Sequence, residues 1–463
     1  MGGMSLPRYF KVTLITALAW AFHHPAMAQD TRTVTEPVLP VVCAQVEATK
    51  TWSGSLPEAD ESKLDTAAIQ KAIDGCAAGQ AVELKAAAGR NALLAAPLQL
   101  RAGVTLILDK GVTLVASRNP RDYDLKGDGT CGILSPKYIP CRPLIAASKA
   151  DGSGIMGGGV IEGRGGENML GRNISWWELA HQADVQHNHQ TVPRLIETSH
   201  TNNFTLYGIT LHNAPNFHVV FNDGDGFTVW GVKIDSPLTA RNTDGIDPGG
   251  ATNVTISHSW FRCGDDDIAI KAAKDHGSSH ITISHNHFLG GHGMTIGSET
   301  QGGVSAIRVT DLTIEKNNYG LTLRSNPLHG GDVHDVVYDD VCIRDTRYPV
   351  WFSTVYTDTL ARPEMFAGAT NFAHFTGIVL RDVRSQGGTD LMMIGIAPQL
   401  RMEVQFDGVS ISGVATMKQR VAHVAVTEGP GPSNWTPLGE DVQITGQPGK
   451  GKLAACTWPA WPE

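Results

Sequence analysis

From residue 203 onward, short runs of alternating apolar and polar residues recur along the chain. Aligned units begin at Asn203 (NFTLYGITLHN), Gly226 (GFTVWGVKIDS), Asn253 (NVTISHSWFRC), His280 (HITISHNHFLG), Ala306 (AIRVTDLTIEK), Asp335 (DVVYDDVCIRD), Thr376 (TGIVLRDVRSQ) and Glu403 (EVQFDGVSISG). Starts recur at roughly 23–29 residues, with one longer interval before Thr376. Pairs such as Val254/Ile256 and Ile281/Ile283 fall on one face of a strand, as period-two alternation requires. A strand-like pattern at this period predicts an all-β chain, a parallel β-helix whose units stack as successive coils. The interval 346–375 is predicted to hold an extra loop carrying Trp351 and Tyr356. Asn203 and Asn253, at equal positions in their units, suggest a side-chain ladder.

The ends of the chain depart from this rhythm. Over 65–78, Ile69, Ala72, Ile73 and Cys76 share one helical face, with Asp65 or Thr66 placed to cap it. A lone amphipathic helix ahead of a solenoid predicts a lid on its open end, where an unpaired edge would otherwise be exposed. Short strands are predicted at 104–108, 112–115 and within 154–165. Residues 166–192 read as an insertion with a helical start at Trp176, and its histidines His181, His187 and His189 read as surface groups, not metal ligands. From about 416 to 463 the repeat fades into a segment rich in Pro and Gly, with Trp435, Trp458 and Trp461 predicted to pack and seal the far end.

Composition narrows the possible functions. A 463-residue chain with 41% hydrophobic and 18% charged residues is ordered, and its 51 glycines suit many tight turns. Residues 1–28 read as an export signal: Arg8 and Lys11, an apolar run over 12–22 too short to span a bilayer, then Ala26-Met27-Ala28. Its removal takes two cations and no anions, moving the net charge from -9 to -11. Such a chain does not suit nucleic acid. The mature chain, 29–463, is expected to be one secreted, monomeric domain, free of the membrane and needing no cofactor. Cys43 with Cys76 and Cys131 with Cys141 are the expected disulfides of an exported protein, and Cys342 with Cys456 is a candidate third whose pairing the sequence leaves open. Cys263 is left over as a buried small apolar residue.

Candidate chemistry centres on 242–271, NTDGIDPGGATNVTISHSWFRCGDDDIAIK. Asp244 and the pair Asp265/Asp266 are about one coil apart, which would stack them ~4.8 Å from each other. Carboxylates that close split their pKa values, as a general acid and a general base require. His292 follows one coil later, and Thr322 with Arg324 one coil after that, predicting a polar column on one face. Gly290-Gly291-His292-Gly293 predicts a turn open to a ligand. Asp267 reads as a solvated or turn-capping residue. Asp223, Asp225 and Asp247 read as turn chemistry, lacking a full calcium ligand set.

These residues carry a resemblance. NFTLYGITL (203–211), PNFHVVF (215–221), TARNTDGIDP (239–248), GDDDIAIKA (264–272) and GHGMTIGSET (291–300), in this order, are similar to the polygalacturonase family of glycoside hydrolases, most of all its bacterial secreted endo-acting members. The resemblance implies a single-stranded, right-handed parallel β-helix and inverting hydrolysis of α-1,4 links between galacturonic acid units of pectin. It implies Asp265 as general acid, Asp244 and Asp266 as the pair activating water, His292 as the tuner of the acid, and Asn242, Lys271, Thr322, Arg324 and Tyr356 as substrate contacts. It fails at one place: the family pattern Gly-Leu-Arg-Ile-Lys is here Gly320-Leu321-Thr322-Leu323-Arg324. One cation is lost and the other changed in kind, leaving Arg324, helped by Lys271 or His329, or a neighbouring sugar other than plain galacturonate. Competing readings are a hydrolase of rhamnogalacturonan or xylogalacturonan, a calcium-dependent pectate lyase, and a non-catalytic β-helix that binds acidic polysaccharide.

Overall fold

The computed structural model describes residues 29–462 apart from 127–128, 328, 357–369 and 413–417. The expected export signal, 1–28, lies outside the described residues. The chain winds into a right-handed parallel β-helix, and every strand pairing between its coils is parallel. A central coil supplies three strands: Asp225–Trp230, Lys233–Asp235 and Ile246–Gly249. Each stacks on its counterpart in the next coil: Thr252–Ser257, Trp260–Arg262 and Ile268–Ala272.

Register turns the repeated sequence into a core. Leu206, Val229, Ile256, Ile283, Val309, Tyr338, Leu380 and Phe406 hold one position in eight successive coils, and all are buried. Full burial of such a side chain is worth about 1.5–3 kcal/mol, so each coil is stabilised chiefly by its neighbours. Two residues after each of these, the backbone turns a corner with positive φ: Gly208, Gly231, His258, His285, Asp311, Asp340, Asp382 and Gly408. Left-handed backbone is tolerated by Gly, Asp and His and disfavoured for branched residues, so this column of residue types sets where each coil bends. The repeat starts behave alike. Asn203 and Asn253 both have positive φ, and the Asn253 side chain accepts from Thr31 and donates to Asp225 instead of joining an asparagine ladder.

The N-terminal end is closed as the pattern predicted. Helix α1, Thr66–Gly75, buries Ile69 and Ile73 against the first coil. Asp65 stands at its N-cap but does not bond the helix N–H groups. Its carboxylate instead takes Lys50 Nζ at 2.8 Å and the Leu94 N–H at 2.8 Å, since a buried ammonium needs an anion more than a helix end needs a cap. Helix α2, Trp176–Val185, starts in the insertion, its first turn capped by Ser175. His181, His187 and His189 are exposed.

Two differences from the sequence reading concern the second half. Trp351 is not in a loop but in the strand Tyr348–Ser353. The tail expected from about 416 still contributes strands Lys418–Glu428 and Glu440–Gly446, both paired in parallel with the coils before them. Polar residues on their outer faces had hidden the alternation. Only the segment after these strands leaves the helix, and it runs back along the flank. Cys456 is bonded to Cys342, Trp458 lies over Arg344, and Trp461 packs on Arg262 and Trp260. Cys43–Cys76 and Cys131–Cys141 are also disulfides, and Cys263 is free and buried.

Candidate active site

Three stacked strands build the site from their entry turns. Ile246, Ile268 and Met294 are register partners. Residues two positions earlier, Asp244, Asp266 and His292, therefore stand one above another, and Asp265 lies beside them. The expected grouping of Asp244, Asp265, Asp266 and His292 on one wall is present. The expected column is not continued by Thr322 and Arg324. Tyr319 holds that place, and the two expected residues lie further along the strand Tyr319–Arg324.

Asp265 is the most accessible of the acids. Its Oδ1 faces His292 Nδ1 at 3.1 Å and accepts from the Asp266 N–H at 3.0 Å. Its Oδ2 accepts from Asn242 Nδ2 at 3.3 Å, and Gln190 in turn donates to Asn242 Oδ1 at 2.9 Å. The His292 N–H bonds the Asp265 carbonyl at 2.7 Å, so backbone and side chain of this pair are locked together. Asp266 is almost fully buried; Thr295 Oγ1 donates to one oxygen at 2.8 Å and the Arg324 guanidinium to the other. Asp265, Asp266 and His292 offer three donor atoms within 4.8 Å of one another. The cation that meets them is Arg324.

Crowded carboxylates divide the protons unequally. Burial, then the charges of Asp265 and Asp247, raise Asp244 well above the usual carboxylate range. Burial also raises Asp265, but the hydrogen bond and charge of His292 outweigh it and hold Asp265 down to about 2. Burial opposes a charge on His292; the bond to Asp265 prevails and raises its pKa above the ordinary value. Burial raises Asp266, with Arg324 opposing. One oxygen each of Asp244 and Asp247, and the Thr322 hydroxyl, are buried without a hydrogen-bond partner. Buried polar atoms of this kind are costly unless a ligand or water meets them.

Lys271 is committed. Its ammonium is 2.8 Å from Asp247 and 3.8 Å from Asp244, and it lies over the Phe217 ring. Tyr356 supports Arg324, whose guanidinium is 5.0 Å from the ring centre. His329 turns its Nδ1 to the Ser298 carbonyl at 2.9 Å.

Several residues behave differently from the sequence reading. Asp247 is not a turn residue: it is buried, ion-paired to Lys271, and raised by burial to about 6. Asp267 is not solvated but fully buried, accepting the Gly293 N–H at 2.9 Å and Asn317 Nδ2 at 2.6 Å. The glycines around His292 answer to this packing. A Cβ on Gly291 would come within 2.7 Å of the Asp267 carboxylate, and one on Gly293 within 2.2 Å of the Gly320 carbonyl. His218 was passed over. It is buried, its Nδ1 bonds the Asp244 carbonyl at 2.9 Å, and burial lowers its pKa to about 4, so it stays neutral and fixes the Asp244 turn. Its place three residues after Pro215 in PNFHVVF was the available signal.

The assembly is thus a cleft wall with one carboxylate bonded to a protonatable imidazole and further carboxylates, unequally protonated, beside it and on the coil before. Such a set supports acid/base hydrolysis. The chain is similar to known proteins over most of its length. It is 38% identical over 406 residues to an endo-polygalacturonase of Pectobacterium carotovorum subsp. carotovorum, covering 88% of this chain and 95% of that one. It is 34% identical to a polygalacturonase of Ralstonia nicotianae, covering 97% and 96% respectively. The solved polygalacturonase from Erwinia carotovora ssp. carotovora superposes with a TM-score of 0.77 at 37% identity, covering 86% of this chain and 100% of that one. Residues 98–429 match the family described as glycosyl hydrolases family 28. With that match and these relatives spanning most of its length, the chain belongs to glycosyl hydrolase family 28.

Proposed function

We propose that this chain is a secreted, endo-acting hydrolase that cleaves the α-1,4 links of polygalacturonate with inversion at the anomeric carbon. The observation that carries the reading is the Asp265–His292 pair, with Asp266 beside Asp265 on the same coil and Asp244 on the coil before. In the resting site the pair's single proton lies on the imidazole, as an ion pair. When a sugar chain covers the cleft and excludes water, the neutral arrangement gains relative to the charged one, and the proton passes to Asp265. Asp265 then gives it to the glycosidic oxygen as the bond from that oxygen to the anomeric carbon breaks. A water held by Asp244 and Asp266 forms the new bond to that carbon and loses its proton to Asp266, whose negative charge Arg324 favours. The names of the relatives support the substrate class, and the reading of residues 1–28 as an export signal supports secretion.

One observation bears on the substrate next to the cut. Thr322 stands where the family pattern has arginine, and Arg324 is turned to Asp266, so the wall holds less free positive charge than that pattern provides. This favours, as a second reading, a chain whose sugar at that place is substituted. The two readings separate when product sizes and rates are compared on polygalacturonate, xylogalacturonan and rhamnogalacturonan.

Asp265→Asn should lower cleavage of polygalacturonate by at least ~10²-fold, the usual scale for a lost general acid. Folding, followed by circular dichroism and melting, should be retained. Near-normal cleavage in this variant would sink the assignment. Proton NMR of the first-formed reducing ends should show the β anomer alone; the α anomer would exclude inversion.

A further inference from the structure

The wall that carries the acids continues past them toward the C-terminal end, and it changes character there. In the column of Asp244, Asp266 and His292, the next two coils place Tyr319 and Tyr348. In the column of Asp247, Thr295 and Thr322, the following coils place Trp351, Met392 and Arg420. The rings are in contact from the acid site outward. His292 meets Tyr319 edge-on at 5.6 Å, Tyr319 stacks on Tyr348 at 5.0 Å, and Trp351 meets both edge-on at 5.4 and 4.7 Å. Tyr348 and Trp351 are buried, and what lies over them is cationic. The Arg347 guanidinium is 4.7 Å from the Tyr348 ring centre, and that of Arg420 is 5.3 Å from the Trp351 ring centre.

These two arginines differ from most others on the outside of the helix. Arg262, Arg308, Arg344, Arg381, Arg384 and Arg401 each bond a carboxylate. Arg347 and Arg420 are exposed and, among the described residues, form no ion pair. A guanidinium laid over an aromatic face keeps its N–H edge directed sideways and is held in place with little loss of freedom on binding. That edge matches a carboxylate bidentately. In a chain of formal net charge -9, two unpaired arginines on pre-ordered pedestals in line with the catalytic acids are a local exception to the overall field.

We propose that Arg347 and Arg420 form a remote subsite for the carboxylates of an acidic polysaccharide chain bound across the acids. It rests on the proposed polygalacturonate reading and extends it. By backbone position Arg347 lies about three coils and Arg420 about five coils beyond Asp266, or ~14 and ~24 Å at the spacing of stacked strands. The Arg420 guanidinium reaches back over Trp351, so both charges stand near the third to fourth coil, ~14–19 Å from the acids. The occupant is therefore several sugars from the cut, and the subsite favours long, de-esterified chains over short ones.

Arg347→Ala, Arg420→Ala and the double variant test this on polygalacturonate and on trigalacturonate. On the polymer, the double variant should raise KM by about 3- to 10-fold, the scale of losing two partly exposed charge contacts, with kcat held. The rise in KM with added salt should be flatter than in the wild type. On trigalacturonate, too short to reach from the acids to Arg420, the change should be much smaller. Equal loss on both substrates, or a polymer KM that does not move, would overturn the proposal. Binding of polygalacturonate to Asp265→Asn, with and without the two arginines, is measured alongside. If the wild type does not cut polygalacturonate, the hydrolase reading has failed; the subsite stands or falls on whether that binding weakens.

Discussion

Two columns of charged side chains run up the outside of this helix, and they are built on opposite rules. On one flank Glu162, His212, Asp235 and Arg262 are register partners in four successive coils, alternating in sign. Glu315 and Arg344 continue the alternation further along. Each acid there meets a base: His212 Nδ1 is 3.1 Å from Glu162, and Arg262 Nε is 2.7 Å from Asp235. On the wall of the candidate site Asp244, Asp247, Asp265 and Asp266 crowd together, with Lys271, Arg324 and His292 among them. The electrostatics follow. Burial opposes ionisation of Asp235, but His212 and Arg262 hold it down to about 2, whereas Asp247 rises to about 6 and Asp244 well above its usual value. Stacking opposite charges at one coil spacing makes a structural ladder. Stacking like charges at the same spacing stores protons that can be moved.

The largest break in that contrast should come from His292→Ala. Without the imidazole, Asp265 has no partner from which to take its proton, and kcat should fall by about 10²- to 10⁴-fold. The wild-type profile adds a sign. The pair must carry its proton, so activity should be lost as pH rises through the raised His292 value, above the ordinary 6.5. In the variant that limb should move to lower pH. A kcat–pH series on both proteins checks it, and an unshifted limb would mean another group supplies the proton.

This contrast was only partly legible in the chain. The acids and His292 could be grouped because they recur at intervals of about one coil length, which the repeat of the strands makes visible. Cys131–Cys141 was legible because the two cysteines bracket a short loop, whereas the partner of Cys342 could not be chosen between Cys263 and Cys456 from sequence, since the contact joins segments 114 residues apart. Asp247 and Asp267 were misread because local rules suggest turns wherever Asp adjoins Gly or other Asp. Their burial depends on what the adjacent coil places over them, Lys271 for one and the Gly291–Gly293 turn for the other. Arg324 was placed in the wrong column because the period of the repeat gives a coil, not a position within it. The last strands escaped because their outward residues are polar and their loops long, while the buried Val424 and Val426 still follow the register.

Lys271→Met tests how much the like-charge side depends on its few cations. It leaves Asp247 buried without its ion pair, and removal of one partner from such a pair costs about 3–5 kcal/mol when the other stays charged. Asp247 can escape by keeping its proton. Its folded pKa already exceeds the unfolded value and would rise further, so the variant should lose stability as pH increases from the unfolded value upward. Denaturant unfolding should therefore show a deficit near pH 7 that shrinks toward pH 5. An equal deficit at both values would assign the loss to packing on Phe217.

The smallest effect is expected on the alternating flank, from His212→Ala. The bonds to Asp235 and Glu162 outweigh desolvation and raise His212 to about 9. A folded pKa above the unfolded 6.5 means that its contribution is complete below 6.5 and disappears as pH rises through 9. The Asp235 contribution runs the other way, present above 3.8 and lost as pH falls through about 2. Between those limits the ladder is intact. Melting curves of wild type and variant should therefore differ most between about pH 4 and 6.5 and converge near pH 10, by a few degrees at most because His212 is partly exposed. Cleavage rates should not change, since no described contact links His212 to the acids. A melting difference that stays constant from pH 5 to pH 10 would show the imidazole acting as a spacer between coils, and the alternation of sign would then lose its explanation as a source of stability.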